Sequence, residues 1–341
     1  MSLRSPLPRL SLHSRLVRYL PSLRSRVALF AVACLAAAAP ARAGSFTALT
    51  YNVAGLPADF GGEGEVNNIF VSPLLNGFDL VLIQEDFFFH DDLTSQVDYP
   101  HISEKSISGP AASGDGLLRL SVTPFIDFER VPWVACFGTL TNASDCLTPK
   151  GFTAARHELE PGVFLDVYNL HAEAGGDQED QTARLAGLRQ MVDFAEVYSA
   201  GNAVLVLGDI NSRYNEVGEI LHEVVADLGL SDVWVDLTRG GVFPVEGVPR
   251  LEDCVDPASS GCERIDKVFY RSNDGLVLTP TLYAVPDEDF QDDAGIPLSD
   301  HLPVVVGFDY QAVPEPTVFA LAGAALAEAM RRRPRRVHSA T

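Results

Sequence analysis

The chain of 341 residues is 47% hydrophobic and 21% charged, with 27 glycines and 22 prolines, a composition that excludes disordered and collagen-like proteins. Its formal charge of −21 is uneven: residues 1–43 hold seven arginines and no acid, residues 314–341 hold five arginines and two glutamates, and between them 13 basic face 44 acidic side chains, a net of −31. Such a body repels polyanions, which argues against a nonspecific nucleic-acid binder and leaves metal-bridged phosphate chemistry open.

In chain order, the first feature is an apolar run over residues 27–39 behind an arginine-rich lead, closed by Ala41-Arg42-Ala43 in the small-x-small pattern of a signal-peptidase site. Residues 1–43 are read as a secretory signal and set apart from the fold. No linker or shift in composition divides residues 44–312, so one catalytic-size domain is expected there.

That domain reads as short apolar runs, each bearing polar residues that a core would not select. Phe46 to Asn52 alternates and stops before Gly55 and Pro57. Asp79 to Glu85 is a buried-strand run that delivers a carboxylate at its end. Val163 to His171 alternates with Asn169 and His171 on one face, because residues two apart in a strand point the same way. Ala203 to Asn211 repeats the arrangement with Asp209 and Asn211, and the runs around Asp266 and Asp300-His301 complete the set. Helical spacing marks Asp177–Ser199, with acids at its start and Gly201 after its end, and a second stretch over Tyr214–Leu228, with Val217, Ile220, Leu221, Val224 and Val225 on one side. Strands outnumber helices, which suggests two packed sheets with helices outside them.

Without Cys34 of the leader, four cysteines remain, an even number suited to an oxidising compartment. Of three pairings, the two local ones, Cys136–Cys146 and Cys254–Cys262, are expected, each closing a turn-rich loop. A zinc site is the lesser alternative, since neither pair is Cys-x-x-Cys and no histidine is near in sequence. At the far end, Pro314-Glu315-Pro316, an apolar run and five arginines resemble the PEP-CTERM sorting tail of some Gram-negative bacteria. That resemblance implies export, membrane contact through the tail before its processing, and a boundary near residue 313.

Singly, each polar strand end has an ordinary reading: a turn carboxylate, a helix cap or a hydrogen-bonded histidine. Together, Asn52, Glu85, His171, Asp209, Asn211, Asp266, Asp300 and His301 make a carboxylate, amide and imidazole set without cysteine. Hard oxygen donors suit Mg²⁺, with Mn²⁺ or Ca²⁺ as alternatives, better than zinc.

The series Thr50-Tyr51-Asn52-Val53, Ile83-Gln84-Glu85, Asn169-Leu170-His171, Gly208-Asp209-Ile210-Asn211, Arg264 to Phe269 and Ser299-Asp300-His301 resembles, in order, the motifs of the endonuclease/exonuclease/phosphatase superfamily. The resemblance spans roughly residues 46–310 and implies an α+β, deoxyribonuclease I-like fold, a four-layer α/β/β/α sandwich of two mixed sheets. It implies Glu85, Asn52 and Asp300 as metal ligands and His301 as general base, oriented by Asp266. Asp209 would orient the nucleophile or a second cation, Asn211 would donate to the phosphate, and His171 would bind a non-bridging oxygen or assist the leaving group. The reaction implied is in-line attack of water on a phosphoester.

Gly114 to Pro124, Cys136, Cys146 and Lys150-Gly151-Phe152 further resemble the central region of secreted sphingomyelinases. A small phosphodiester or phospholipid substrate is therefore expected, acted on by a monomer. Nucleic acid is the weaker substrate and a catalytically silent surface-binding module the further alternative. Phe87-Phe88-Phe89 and Pro132-Trp133 are expected to pack, with a lipid surface as the other reading.

Overall fold

The computed structural model of the protein describes residues 42–57, 64–109, 113–139, 142–249, 254 and 256–313. The expected leader up to residue 41 and the expected tail from residue 314 lie outside the described residues. From the start the elements are β1 (Arg42–Asn52), α1 (Gly64–Leu74), β2 (Leu80–Gln84), α2 (His90–Thr94), β3 (His101–Ile102), β4 (Leu118–Ser121), β5 (Phe125–Pro132), β6 (Gly151–Glu160) and β7 (Val163–His171). Next come α3 (Gln178–Tyr198), β8 (Val204–Asp209), α4 (Leu221–Asp227), β9 (Ser231–Asp232), α5 (Val233–Arg239), β10 (Asp266–Arg271), β11 (Leu276–Ala284) and β12 (Val304–Ala312). Because β1 pairs Arg42 with Ala312 and Ala43 with Gln311, the boundary expected after residue 43 falls inside this strand.

Two mixed six-stranded sheets result, in the orders β11-β12-β1-β2-β4-β3 and β5-β6-β7-β8-β10-β9. Period-two alternation divides the apolar residues among three layers. Leu49, Tyr51, Val81 and Ile83 face outward from the first sheet onto Val71 of α1, Leu75 just after it and Leu93 of α2. Tyr168, Leu170, Val204 and Val206 face outward from the second sheet onto Leu188, Met191 and Val192 of α3. The alternate residues, Ala48, Leu80, Leu82, Leu165, Val167, Leu205 and Leu207, fill the space between the sheets. This is the four-layer α+β sandwich expected from the sequence.

Strand direction sets where the chemistry lies. In each sheet one central pair is parallel, β1 with β2 and β7 with β8, so their carboxyl ends lie side by side. The antiparallel strand β10 starts at that end, Asp266 opposite Asp209. Likewise β12 runs against β1 with Val304 opposite Thr50, which brings the preceding Ser299-Asp300-His301 turn to the same edge.

Helix α3 falls inside its expected bounds, with Asp177 as N-cap in a capping box with Asp180 and Ser199 as C-cap. The second expected helix is shorter than its apolar pattern: of Tyr214–Leu228, Leu221–Asp227 is helical. Gly218 at φ +84 is incompatible with a continuous right-handed helix, and Val217, read as part of an apolar face, is 71% exposed. Both local disulfides are formed, Cys136–Cys146 with Cα atoms 5.3 Å apart and Cys254–Cys262 at 5.6 Å.

Candidate active site

Continuing the inward stripe of each central strand beyond its last aliphatic residue gives Thr50, Asn52, Gln84, Asn169, His171 and Asp209, all buried. These side chains join the two sheets by hydrogen bonds in place of packing. Gln84 Nε2 donates to Asn169 Oδ1 at 2.7 Å, and Asn169 Nδ2 returns to the Ile83 carbonyl at 2.9 Å. Asn52 Nδ2 donates both to Glu85 Oε1 and to Asp209 Oδ2, each at 3.1 Å.

Asp209 is the centre of the site. Its Oδ1 accepts from the Asn211 backbone N–H at 3.0 Å, while Oδ2 lies 3.4 Å from His171 Nε2 and 3.6 Å from His301 Nε2. The other ring nitrogen of His301, Nδ1, donates to both oxygens of Asp266 at 3.1 Å. The turn carrying His301 is tied down by the Ser299 hydroxyl, which donates to the Asn52 carbonyl at 2.7 Å and accepts from the His301 N–H at 3.2 Å.

Glu85 stands at the rim, its side chain 18% exposed and its Oε1 3.8 Å from His171 Nε2. It holds a positive φ of 62, a conformation costly for a side-chain-bearing residue and found where function demands it. A Cβ on the neighbouring Gly55 would lie 2.2 Å from the Glu85 carbonyl, so glycine there permits the bend. Asn211, also at positive φ (52), directs its amide nitrogen to the Ala172 carbonyl at 3.2 Å. Its second amide N–H is left to donate elsewhere.

Six of the eight residues named from sequence, Asn52, Glu85, His171, Asp209, Asp266 and His301, thus form one contact network, with Asn211 beside it. Asp300 is exposed, its Oδ1 3.4 Å from Ser299 Oγ. The acidic and imidazole atoms that close on one another within 4.8 Å belong to Asp209, Asp266 and His301. Asn52 turns its amide nitrogen to the carboxylates, and its oxygen accepts from the Ala54 N–H at 3.0 Å.

Electrostatics separates the two histidines. Burial, with Lys150 and His301 nearby, holds His171 well below the usual histidine range, so it is neutral. For His301 burial acts in the same direction, but Asp266 and Asp209 outweigh it and push its pKa up to about 10. Desolvation raises Asp209 to about 6, an effect opposed by the charge of His301 and the Asn52 hydrogen bond. Crowded carboxylates whose negative charge is poorly solvated, with oxygen as the dominant donor, fit a hard divalent cation.

Two groups escaped the sequence reading. Gln84 and Asn169 were visible as strand-end residues, but their contact joins two sheets and leaves no mark in local spacing. Lys150, one of three lysines in the chain, is buried and ion-paired with Asp145 beneath the Cys136–Cys146 loop. Its position just before Gly151-Phe152 is the sole sequence signal. Trp133 donates from its indole N–H to the His171 carbonyl at 2.7 Å and packs at a tilt against Phe152, and Phe87 is 2% exposed, so both serve packing. Phe88 is exposed.

Comparison with known proteins bears on this geometry. No protein-family model matches the chain. A sphingomyelinase of Mycobacterium tuberculosis is 34% identical over 279 residues, 79% of this chain and 54% of that protein. The chain therefore spans about half the length of the curated relatives it matches. Among solved structures, beta toxin from Staphylococcus aureus superposes with a TM-score of 0.54 at 18% identity, covering 76% of this chain and 99% of that one; another of its crystal structures holds bound magnesium ions. An endonuclease/exonuclease/phosphatase from Beutenbergia cavernae has a TM-score of 0.51 at 18% identity, covering 77% of this chain and 71% of that one. With its two mixed sheets and polar inter-sheet edge, the chain has the deoxyribonuclease I-like fold.

Proposed function

We propose that the protein is a divalent-metal-dependent phosphodiesterase that hydrolyses a phospholipid of the sphingomyelin type. The observation that carries this reading is the Asp266–His301 pair facing Asp209, opposite the Asn52–Glu85–His171 group. The likeness to sphingomyelinases over most of the chain supports the substrate class.

Glu85 and Asp209, linked through Asn52, would hold the cation, with Asp300 further out at the rim; Mg²⁺ suits their oxygen donors. A bound cation neutralises charge on the phosphate and lowers the proton affinity of His301. Asp266 keeps the proton of His301 on Nδ1, which leaves Nε2 to take a proton from the attacking water. Neutral His171 donates from Nε2 to a non-bridging or leaving oxygen without adding charge. Asn211 donates its second amide N–H to the phosphate. Water attacks directly, so no covalent enzyme intermediate forms.

The acidic body favours a zwitterionic choline phosphodiester over DNA, whose backbone carries a charge about every 1.7 Å. A screen of the mature protein against sphingomyelin, DNA, RNA and inositol phosphates, with Mg²⁺ and with a chelator, tests this. Chelator-sensitive release of phosphocholine, exceeding duplex cleavage, is expected. Efficient DNA cleavage without choline phosphodiester hydrolysis would make nuclease the better reading.

Export completes the proposal, and the two disulfides suit an oxidising compartment. Intact-mass measurement on native protein is expected to show an N-terminus near Gly44 and loss of the arginine cluster after Pro314-Glu315-Pro316. A full-length cytoplasmic species would defeat it.

A further inference from the structure

A polar groove of about 640 Å³ opens beside Asn211, with Gln178, Arg213, Glu216, Val217 and Ile265 in its walls. Its outer lip is the segment 215–218, on which a second loop, residues 240–249 (Gly-Gly-Val-Phe-Pro-Val-Glu-Gly-Val-Pro), is laid. Gly247 N–H donates to the Asn215 carbonyl at 2.8 Å, Asn215 Nδ2 to the Val248 carbonyl at 2.8 Å, and Gly218 N–H to Glu246 Oε1 at 3.0 Å. A Cβ on Gly247 would lie 3.8 Å from Val217 Cγ2, so Val217 sits against the turn that Val248 N–H closes on the Val245 carbonyl at 3.1 Å. Beneath them Phe243 packs edge-on against Tyr214, ring centroids 4.9 Å apart, which anchors the loop on the core.

The outward side of this support is aliphatic. Val217 is 71% exposed, Val245 66% and Val248 53%, a cluster in which apolar groups of three neighbouring residues face solvent. Within residues 240–249 the sole ionisable side chain is Glu246, engaged by the Gly218 N–H. The two carboxylates of the lip are both engaged, Glu216 by Arg213 at 2.9 Å and Glu246 by the Gly218 N–H, so its free display is aliphatic; on a body of net charge −31 it suits an uncharged or zwitterionic apolar partner and rejects a polyanion.

We propose that the knuckle of Val217, Val245 and Val248 docks the protein onto a zwitterionic phospholipid bilayer, with the groove beside Asn211 facing the headgroups. This rests on the phospholipid reading of the active site. A second copy seated on the knuckle would crowd the lip of the groove, whereas a bilayer covering the same lip is itself the source of substrate. Of the aromatic candidates for such a role, Trp133 and Phe87 are turned inward and the exposed Phe88 does not line the groove, whose lip carries the valines.

The test uses the double variant Val245→Asp/Val248→Asp. Val197→Asp serves as control, since Val197 is 82% exposed and lies roughly 24 Å along α3 from Gln181 at the groove. Partition onto vesicles of equal sphingomyelin and phosphatidylcholine is read by co-sedimentation in the presence of a chelator. At least about a tenfold fall is expected for the double variant and none for the control. Turnover of vesicle sphingomyelin with Mg²⁺ should fall in step, while turnover of water-soluble bis(p-nitrophenyl) phosphate and the melting temperature hold. Should the aspartates unfold the loop, Val245→Ser/Val248→Ser keeps the comparison, with a smaller fall expected. Wild-type partition in a folded double variant overturns the docking surface, as does a wild-type dimer in sedimentation that the double variant dissociates. Wild-type protein that binds vesicles but hydrolyses no choline phosphodiester defeats the proposed substrate and leaves the docking surface standing.

Discussion

Strands β1, β2, β7 and β8 each pass through two environments on a single face. At one end the inter-sheet layer is Ala48, Leu80, Leu82, Leu165, Val167, Leu205 and Leu207; at the other it is Thr50, Asn52, Gln84, Asn169, His171 and Asp209, and every one of these is at most 5% exposed. Burial is therefore the same, and what differs is how each half is satisfied. The aliphatic end is held by removal of apolar area from water, roughly 25 cal/mol per Å², without directional demands. The polar end is stable to the extent that each donor finds its acceptor, because an unpaired buried polar group costs about 1–3 kcal/mol. One half can lose shape without losing chemistry, and the other can lose chemistry without losing shape.

Breaking the comparison at its catalytic edge gives the largest expected effect. His301→Ala is expected to lower turnover by about 10²–10⁴ with the fold intact, the range for loss of a positioned base. Asp266→Asn should lower it less, since the imidazole remains and loses its orienting anion. Steady-state kinetics beside a thermal melt checks both, and wild-type turnover in a folded His301→Ala protein would remove the mechanism. In the aliphatic half, Leu205→Ala is expected to cost about 2–5 kcal/mol of stability by leaving a cavity. The kcat of the protein that remains folded should stay near wild type; denaturant titration and kinetics on one sample read both quantities.

The same contrast explains which parts were legible in the sequence. Strand faces follow a period of two, so Asn169 with His171 could be placed together from local spacing, and α3 announced its ends through Asp177 and Gly201. The pairing of Asp266 with His301 could not be read that way, because one opens a strand of the second sheet and the other precedes a strand of the first, 35 positions on. Resemblance to a known motif order supplied it. The overlong second helix shows the limit of periodicity: Val217, Ile220, Leu221, Val224 and Val225 share a helical face on paper, yet Gly218 breaks the path and Val217 turns to solvent. Edge strands such as β5, with its mixed exposure, carry too weak an alternation to be recognised.

A smaller effect probes the hydrogen-bonded junction between the sheets. Gln84→Leu keeps the volume but strips Asn169 Oδ1 of its 2.7 Å donor, so a loss of about 1–3 kcal/mol is expected where an aliphatic pair at the other end would tolerate the change. Denaturant titration of Gln84→Leu and of the double variant Gln84→Leu/Asn169→Leu sharpens this. Recovery of stability in the double variant is expected if the cost is an unpaired amide, and an additive further loss would indicate packing instead.

A last expected effect is a pH dependence confined to the polar half. In the cation-free protein, Asp266 and Asp209 hold His301 at about 10, above the ordinary 6.5 of histidine. A group whose pKa is raised by folding stabilises the native state fully below its unfolded value and loses that contribution as pH rises through the folded one. The His301 contribution is therefore whole below pH 6.5 and disappears toward pH 10. His171, held neutral by burial, acts in the opposite sense below pH 6.5, and Asp209 titrates near 6, so both lie below the window from about 7 to 10, while Arg119, lowered by burial to about 9, cancels in the comparison with His301→Gln. With chelator present, the melting temperature of wild type minus that of His301→Gln should shrink steadily across that window. Adding Mg²⁺ should move the decline to lower pH, because positive charge beside Glu85 and Asp209 offsets the carboxylates that hold the proton on His301. A difference that stays flat from about pH 7 to 10 would mean that His301 is not charged in the cation-free site, and the contrast between its environment and that of His171 would fall.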